Sequence, residues 1–472
     1  MLQDNSYRVR VESLDWQSLF PFLKIVRSFR MAIHPSKMLL AMLMVVLTYL
    51  SGLALDEVWG PQVYHREFNR YITQSPERYQ KFLSEPETYL GATKAADKKP
   101  IFQSTLDLEL QSFKHLIYSA ASLKFGFNSL YDQPSDMNAG GVVPALYVMI
   151  IGIPGWLLAT HPTFLAIFLA WTFILTIIFG GSISRLASLH ATRDLRPSCF
   201  YALRYIRDHF LAYFGAPAIP LVLTLVIGLL LAAVGLLFNF AITGFVSALI
   251  FGLLIFGGFI IALLLIGLAG ASNIMFPAIS TDASDPLDTI SRTYNYVLTR
   301  PWQYLFYTAF SLFYGAITYL FIAFIIFLTL WATKNFTGWW VFTDSMGPNG
   351  SDMNTMNAIL PDPKLGQLPF YTGAVSTEVD QPAGITIMTT IVTAWVKLLI
   401  AIIPAFAFSF YFCAQTWVYL LLRESADGTE IDQVHLEPGD NPMDRSMDQP
   451  DLADNYDTDA SDGPSSQASG AS

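Results

Sequence analysis

The chain has 472 residues, of which 53% are hydrophobic and 14% are charged, and its formal net charge is −10. Soluble globular domains carry about a quarter charged residues, so this composition excludes an ordinary soluble protein. The negative charge belongs to the C-terminal end, because residues 423–472 contain 13 acidic and 2 basic side chains.

Six apolar blocks approach or exceed the roughly 20 residues that cross the hydrocarbon core of a bilayer. They occupy residues 39–56, 163–181, 217–239, 245–271, 303–332 and 391–422. These blocks predict an all-α fold, a polytopic transmembrane helical bundle with six spans. Residues 1–38 are polar and amphipathic and lack a small-residue cleavage site, so we expect a cytoplasmic amphipathic segment before a retained first span, not a cleaved signal.

Two different segments lie between the first and second spans. Residues 57–141 have helical patterns and predict an extracytoplasmic helical insert, long enough to be translocated whatever its charge. Residues 142–160 are apolar enough to span, but Pro144, Pro154 and two glycines interrupt them. A seventh span here would place the next arginine-rich loop outside, so we interpret the segment as interfacial or re-entrant, with a full crossing as the alternative.

Residues 163–239 and 245–332 look like two copies of one unit, in which two spans are joined by an arginine-bearing loop with an amphipathic helix. Ser198 and Ser284 are candidate N-caps of the loop helices, and Pro286 falls in a first turn. We interpret both loop helices as cytoplasmic and interfacial, with arginines directed toward phosphates. The simpler alternative is that any cytoplasmic loop is basic and any span begins with interfacial aromatic residues.

The C-terminal part of the chain predicts a loop, a last span and a tail. Residues 333–390 are rich in Gly, Pro, Asn, Asp and Thr and predict an extracytoplasmic loop. Residues 423–472 are acidic and poor in aromatic residues, so we expect a disordered cytoplasmic tail.

The distribution of basic residues predicts the orientation, because short basic loops are retained in the cytoplasm. Basic side chains concentrate in the N-terminal segment and in the loops after the second and fourth spans, whereas the loop after the third span has none. Both termini are therefore expected to be cytoplasmic. The loop arginines that we select as candidate lipid- or partner-binding residues are Arg185, Arg204, Arg207, Arg292 and Arg300.

The spans contain almost no ionisable residues, and no catalytic, metal or nucleotide motif stands in a supporting context. Lys397 is typical of a lysine that snorkels to the interface, and Asn239, Asn273 and Gln415 are typical of hydrogen bonds between helices. The acidic cluster that begins at Asp282 could bind a cation or a partner, but helix capping and an ion pair explain it more simply. We therefore expect no enzyme activity, no cofactor and no metal site.

The loop sequences GGSISRLASLHATRDLRPS and SDPLDTISRTYNYVLTRPW resemble those of polytopic bacterial membrane proteins and are similar to the multi-span families of the YciC or Yip1 type. The resemblance covers roughly residues 16–332. It implies a helical bundle in the bacterial cytoplasmic (inner) membrane and supplies no catalytic or binding residue.

The leading functional hypothesis is a non-enzymatic component that organises the membrane or binds partner proteins through its basic inner surface. Expected partners are membrane lipids, including anionic headgroups at the cytoplasmic face, and other membrane proteins, but not nucleic acid. The alternative is a permease-like subunit for a neutral or lipidic solute. A polar cavity at mid-membrane would favour that alternative, and a dry, packed centre would count against it. An intramembrane enzyme is the third hypothesis.

Overall fold

The computed structural model describes residues 20–436 with gaps at 65, 92–96, 125–140, 240–243, 246–247, 250, 342–343, 347–351, 355, 358–359, 361, 366–367 and 369–382. Over these residues the fold is helical, apart from one antiparallel hairpin of β1 (Asp344–Met346) and β2 (Asp352–Asn354). The predicted class, an all-α polytopic bundle, is confirmed.

Seven helices among the described residues are long and apolar enough to cross a membrane. They are Pro35–Trp59, Val142–Thr160, Pro162–Arg193, Phe210–Asn239, Phe251–Asp282, Pro301–Gly338 and Ile387–Asp427. Six of them contain the six predicted apolar blocks or overlap them, and the remaining one is the segment predicted to be interfacial or re-entrant. The protein is therefore an integral membrane protein.

The helices are numbered in chain order. They are α1 (Arg27–Ala32), α2 (Pro35–Trp59), α3 (Glu67–Thr73), α4 (Pro76–Ser84), α5 (Pro86–Leu90), α6 (Ile101–Ala121), α7 (Val142–Tyr147), α8 (Ile153–Thr160), α9 (Pro162–Leu175), α10 (Gly181–Arg193), α11 (Cys199–Asp208), α12 (Phe210–Leu236), α13 (Phe251–Asp282), α14 (Pro286–Thr299), α15 (Pro301–Gly338), α16 (Ala383–Ile400) and α17 (Ile402–Asp427). The π-helical turns Val148–Gly152 and Thr176–Gly180 join α7 to α8 and α9 to α10.

Three of the spans begin with a proline at the first helical position, namely Pro35 of α2, Pro162 of α9 and Pro301 of α15. A proline has no N–H to lose at that position, and it disfavours helical geometry in the residue before it. Each of these spans therefore starts at a fixed residue and turns away from the short helix that precedes it.

Helices α2 and α9–α10 run antiparallel, which fixes where the chain enters and leaves them. Lys37 Nζ, in the first turn of α2, lies 3.0 Å from His190 Nδ1 near the end of α10. At the opposite end the ring of Trp59 contacts Phe164 in the first turn of α9. We call the end with Lys37 and His190 the arginine end and the other the far end. Residues 60 and 161, which follow α2 and precede α9, therefore both lie at the far end.

Residues 142–160 form one of the seven helices that are long and apolar enough to cross a membrane. The Val142 N–H donates to the Lys124 carbonyl at 3.0 Å, and α7 packs against α6. Helices α7 and α8 therefore lie beside α6, and the interfacial or re-entrant interpretation of residues 142–160 stays a prediction.

Helix α6, which belongs to the predicted extracytoplasmic insert, packs along α2. Asp56, in the last turn of α2, accepts a hydrogen bond of 2.6 Å from the Phe102 N–H and so caps α6. The Phe102 ring packs on Gly52, and the Phe113 ring contacts Tyr319 of α15. Because these contacts move from the far end toward the middle of the spans, α6 runs back along α2 into the bundle.

A buried carboxylate organises the far-end domain formed by α3, α4 and α8. Glu67 is 2% exposed. It accepts hydrogen bonds from the Tyr64 N–H at 2.8 Å, the Tyr79 hydroxyl at 3.0 Å and the Trp156 indole N–H at 3.2 Å. Burial raises the pKa of Glu67 above its ordinary value, and these three donors oppose the rise only in part.

Helix α17 lies at the centre of the bundle, and its residues from Phe412 to Arg423 are all buried. Helices α1, α2, α10, α13 and α15 surround it. The hairpin of α12 and α13 is its opposite, since no described residue from 221 to 266 is buried. We call residues 221–266 the lipid-facing hairpin; its two helices pack against each other.

Candidate lipid-binding surface at the arginine end

Two loops at the arginine end contain the same structural features in the same order. Helices α10 and α13 each end at a residue in left-handed conformation, Asp194 (φ 52°) and Ala283 (φ 51°). A short amphipathic helix follows, α11 or α14, and then one junction residue, His209 or Arg300, before the next long helix. This shared order is what the sequence repeat implies, and the duplication itself stays a prediction.

One of the two predicted N-caps is correct. The Ser198 hydroxyl accepts a hydrogen bond from the Tyr201 N–H at 3.4 Å and caps α11. Ser284 lies one residue too early, because α14 begins at Pro286 and Asp285 holds the extended cap position. The proline explains the shift, since the residue before it is driven out of helical conformation. The Ser284 hydroxyl instead bonds the Thr289 hydroxyl at 2.7 Å.

Arg185 differs from the other selected arginines because it is fully buried, at 0% exposure. Its guanidinium donates to the Ser280 carbonyl at 2.7 Å and to the Tyr201 hydroxyl at 3.1 Å. It also stacks on the Tyr205 ring, 4.2 Å from the ring centroid. Arg185 therefore joins α10 to α11 and α13 inside the protein, and it does not belong to the exposed surface where the sequence analysis placed it.

Arg204 and Arg207 are exposed on α11. Large apolar side chains flank them, since Phe200 is 83% exposed and Leu211, at the start of α12, is 79% exposed. Residues at positions 200, 204 and 207 share one helix face. This face, which we call the α11 face, therefore presents guanidinium groups and apolar groups together.

The same mixture occurs on α14 and at the start of α15. Leu287 and Leu298 are 68% and 53% exposed, and Trp302 is 82% exposed. Arg300 is exposed between them and donates to the Ser425 hydroxyl at 2.5 Å. We call this group the α14 face. Tryptophan and arginine side chains with exposed leucines are typical of helices at the bilayer–water interface.

Arg292 is held by carboxylates. Its Nε lies 2.9 Å from Asp288 one turn earlier, and its NH1 lies 3.5 Å from Asp282. Asp282 also pairs with Arg423 at 2.6 Å and accepts a hydrogen bond from the Tyr419 hydroxyl. The acidic cluster predicted from the sequence is thus an ion-pair network that joins α13, α14 and α17. No group of three or more His, Cys, Asp or Glu side chains in the described part of the chain could hold a metal ion.

The start of the predicted disordered tail is docked on the bundle. Arg423 NH2 donates to the carbonyls of Gln433 at 2.5 Å and Glu430 at 3.2 Å. The His435 N–H donates to the Thr281 carbonyl at 2.8 Å. A buried guanidinium requires acceptors, and these carbonyls supply them. Residues 437–472, the rest of the predicted tail, lie outside the described residues.

Both described ends of the chain meet at the arginine end. Lys24 Nζ lies 3.5 Å from the Glu424 carboxylate. The basic loops, Lys24 of the N-terminal segment and the start of the C-terminal tail therefore share one end of the molecule.

Of the polar side chains predicted to join helices, Asn273 does so and Asn239 does not. Asn273 of α13 accepts a hydrogen bond from Tyr411 of α17 at 2.6 Å and donates to Tyr304 of α15 at 3.1 Å. Asn239 donates to the Leu236 carbonyl of its own chain segment. The centre of the bundle is occupied by side chains of α17, whose residues from Phe412 to Arg423 are all buried.

These features define a class, an integral membrane helical bundle that exposes arginines and large apolar side chains together at one end. In comparisons with known proteins, no family model, no curated protein and no solved structure matches the chain. The similarity to multi-span families of the YciC or Yip1 type therefore stays a resemblance of loop sequences, and the function has to be argued from the surface itself.

Proposed function

We propose that this protein is a non-enzymatic component of the bacterial cytoplasmic (inner) membrane that binds anionic lipid headgroups at its arginine end, with both termini in the cytoplasm. Through that surface it organises lipid or partner proteins. The observation that carries the proposal is the mixture of exposed arginines and large exposed apolar side chains on the α11 and α14 faces.

The mixture has a physical rationale at the bilayer surface. Exposed apolar groups such as Phe200 and Trp302 gain free energy when they enter the headgroup–acyl boundary, while adjacent guanidinium groups remain at phosphate level. An arginine binds a phosphate through two parallel hydrogen bonds, which a lysine cannot do. Each basic side chain near an anionic membrane surface contributes about 1 kcal/mol.

The permease-like alternative receives less support. A polar cavity at mid-membrane would favour transport of a neutral polar solute, whereas large side chains on the buried face of α17, such as Phe412 and Trp417, are apolar. Arginines on the outside of short helices at one end have no evident role in such a pathway.

The test is anionic-lipid binding by the full chain in nanodiscs of phosphatidylcholine with and without phosphatidylglycerol. We expect Arg204→Gln, Arg207→Gln and Arg300→Gln together to weaken phosphatidylglycerol retention at least tenfold, read by native mass spectrometry, since three contributions of about 1 kcal/mol each are removed. Arg292 is left intact because it supports the fold.

The matched control removes the same charge from the far end, with Arg66, Arg78 and Lys81 all changed to Gln. These side chains are exposed. If the control lowers phosphatidylglycerol retention as much as the arginine-end variant does, the effect is one of net charge and the proposal fails. It also fails if neither variant changes retention.

A further inference from the structure

A cavity of about 600 Å³ lies beside α17, remote from the α11 and α14 faces. Residues from five separate parts of the chain line this cavity. They include Met44 of α2, Leu110 of α6, Thr176 after α9, Tyr319 of α15 and Ala407 of α17. The volume lies within the range of about 300–1,000 Å³ that is usual for small-molecule sites.

The chemistry of the lining selects an apolar occupant. None of the side chains that line the cavity is charged. Two of its hydroxyls are already used, because Tyr411 donates to Asn273 at 2.6 Å and Thr176 donates to the Thr172 carbonyl at 2.8 Å. A polar ligand would therefore lose its hydration without gaining these partners.

Two spans are irregular where they border this cavity. The π-helical turn Thr176–Gly180 starts at a lining residue, and the break at Ala401 between α16 and α17 comes just before Pro404, which also lines the cavity. At membrane depth, irregular backbone is tolerated where it is buried in protein or lines a cavity. Helical π-turns occur frequently at functional sites. Two unrelated helices thus depart from regular geometry at one place.

The core next to the cavity is densely packed. A Cβ added at Gly180 would lie 2.3 Å from the Phe412 ring, and that ring stacks on Phe276 of α13. The cavity is therefore a recess beside a well-packed core, not part of a region of generally loose packing.

We propose that this cavity binds one long hydrocarbon chain, the acyl chain of a phospholipid or a polyisoprenoid chain, taken from the surrounding bilayer. Helix α6 closes its side, since Phe113 reaches across to Tyr319 with a ring separation of 5.7 Å. The site shares no residue with the α11 and α14 faces, so it stands or falls independently of headgroup binding there.

The test is photo-crosslinking of the full chain in nanodiscs with two probes, a phosphatidylglycerol with a diazirine in its acyl chain and a polyprenyl phosphate with a diazirine in its prenyl chain. We expect labels on the peptides around Phe113 and Phe408. Ala407→Trp fills the cavity and should reduce these labels at least tenfold. Ala232→Trp on the lipid-facing hairpin, where the alanine is exposed, should leave them unchanged. The probe that labels identifies the source of the chain.

Even labelling of all lipid-facing segments, including residues 221–266, with no reduction in Ala407→Trp would show annular lipid only and would overturn the proposal. Absence of labelling by both probes would also overturn it. If Ala407→Trp does not fold, Phe113→Ala opens the side wall. In that variant we expect a co-purified lipid to be washed out by detergent at least several times faster than from the wild type, and equal retention contradicts the proposal.

Discussion

The central helix α17 and the lipid-facing hairpin are both apolar, yet they occupy opposite environments. The two helices of the hairpin are the most hydrophobic of the candidate spans, and they are also the least buried. Helix α17 is less hydrophobic and is surrounded by protein. In this molecule, greater hydropathy accompanies contact with lipid, and polarity accompanies burial.

The physical reason is that a bilayer removes the usual driving force for burying leucine. Lipid tails are as apolar as leucine side chains, so helices associate through close packing and hydrogen bonds. Helix α17 has such groups. Ser409 donates to the Ala32 carbonyl at 2.8 Å, and Trp417 donates to the Met31 sulfur at 3.1 Å. The described residues of the lipid-facing hairpin have few such groups, and the hairpin remains at the periphery.

The largest expected effect comes from the ion pair at the end of α17. Arg423→Ala leaves Asp282 without its closest cationic partner in a buried site, and breaking a buried pair costs about 3–5 kcal/mol. We expect a large decrease in the thermal unfolding midpoint in detergent and release of residues 430–435, measured as faster hydrogen exchange. Arg193→Ala, at an exposed arginine of the same end, is the control and should change stability by less than about 0.5 kcal/mol. Equal effects of the two variants would show that the pair does not hold the bundle together.

The next effect is a change in the unfolding midpoint that has opposite signs in the two regions. Gly180→Ala places a Cβ 2.3 Å from the Phe412 ring, whereas a Cβ at Gly228 in the lipid-facing hairpin meets nothing within 4 Å. Overpacking a core costs about 1–3 kcal/mol, while Gly→Ala in an unobstructed helix gains about 0.5–1 kcal/mol. We therefore expect opposite shifts in the unfolding midpoint. Stabilisation by Gly180→Ala would mean that the core around Phe412 has room for an additional methyl group.

Block length and composition are local signals, and they were sufficient to predict six of the seven helices that could cross a membrane. The sequence was not sufficient for position within the bundle. The block 391–422 looked like the other five, and its central place depends on partners in α1, α13 and α15. Arg185 was grouped with exposed arginines because its acceptor, Ser280, lies 95 residues further along the chain. The polar end of α10 was read as loop for the same reason, since Ser188 meets Thr281 only in the folded protein.

A smaller effect concerns Glu67, which is buried by protein outside the spans. Burial raises its pKa, so the unfolded chain releases this proton at a lower pH than the folded chain does. The contribution of Glu67 to stability is then complete below its ordinary pKa of about 4.5 and is lost as the pH rises through the folded value. We expect the unfolding midpoint of the wild type to fall relative to Glu67→Gln as the pH rises from about 4 to 8. A difference that does not depend on pH would show that the carboxyl stays ionised.

The smallest effect is the most direct test of the comparison. Leu229 on the lipid-facing hairpin is 70% exposed, whereas Leu420 on α17 is 1% exposed. A phenylalanine at position 229 meets lipid that can rearrange, so we expect a change of less than about 0.5 kcal/mol. The same replacement at position 420 has to displace packed neighbours and should cost about 1–3 kcal/mol. The ratio of the two changes in unfolding midpoint measures how much of the hairpin faces lipid. If Leu229→Phe proves as costly as Leu420→Phe, the hairpin is packed against protein in the membrane, and its high hydropathy would then reflect an interface with another chain.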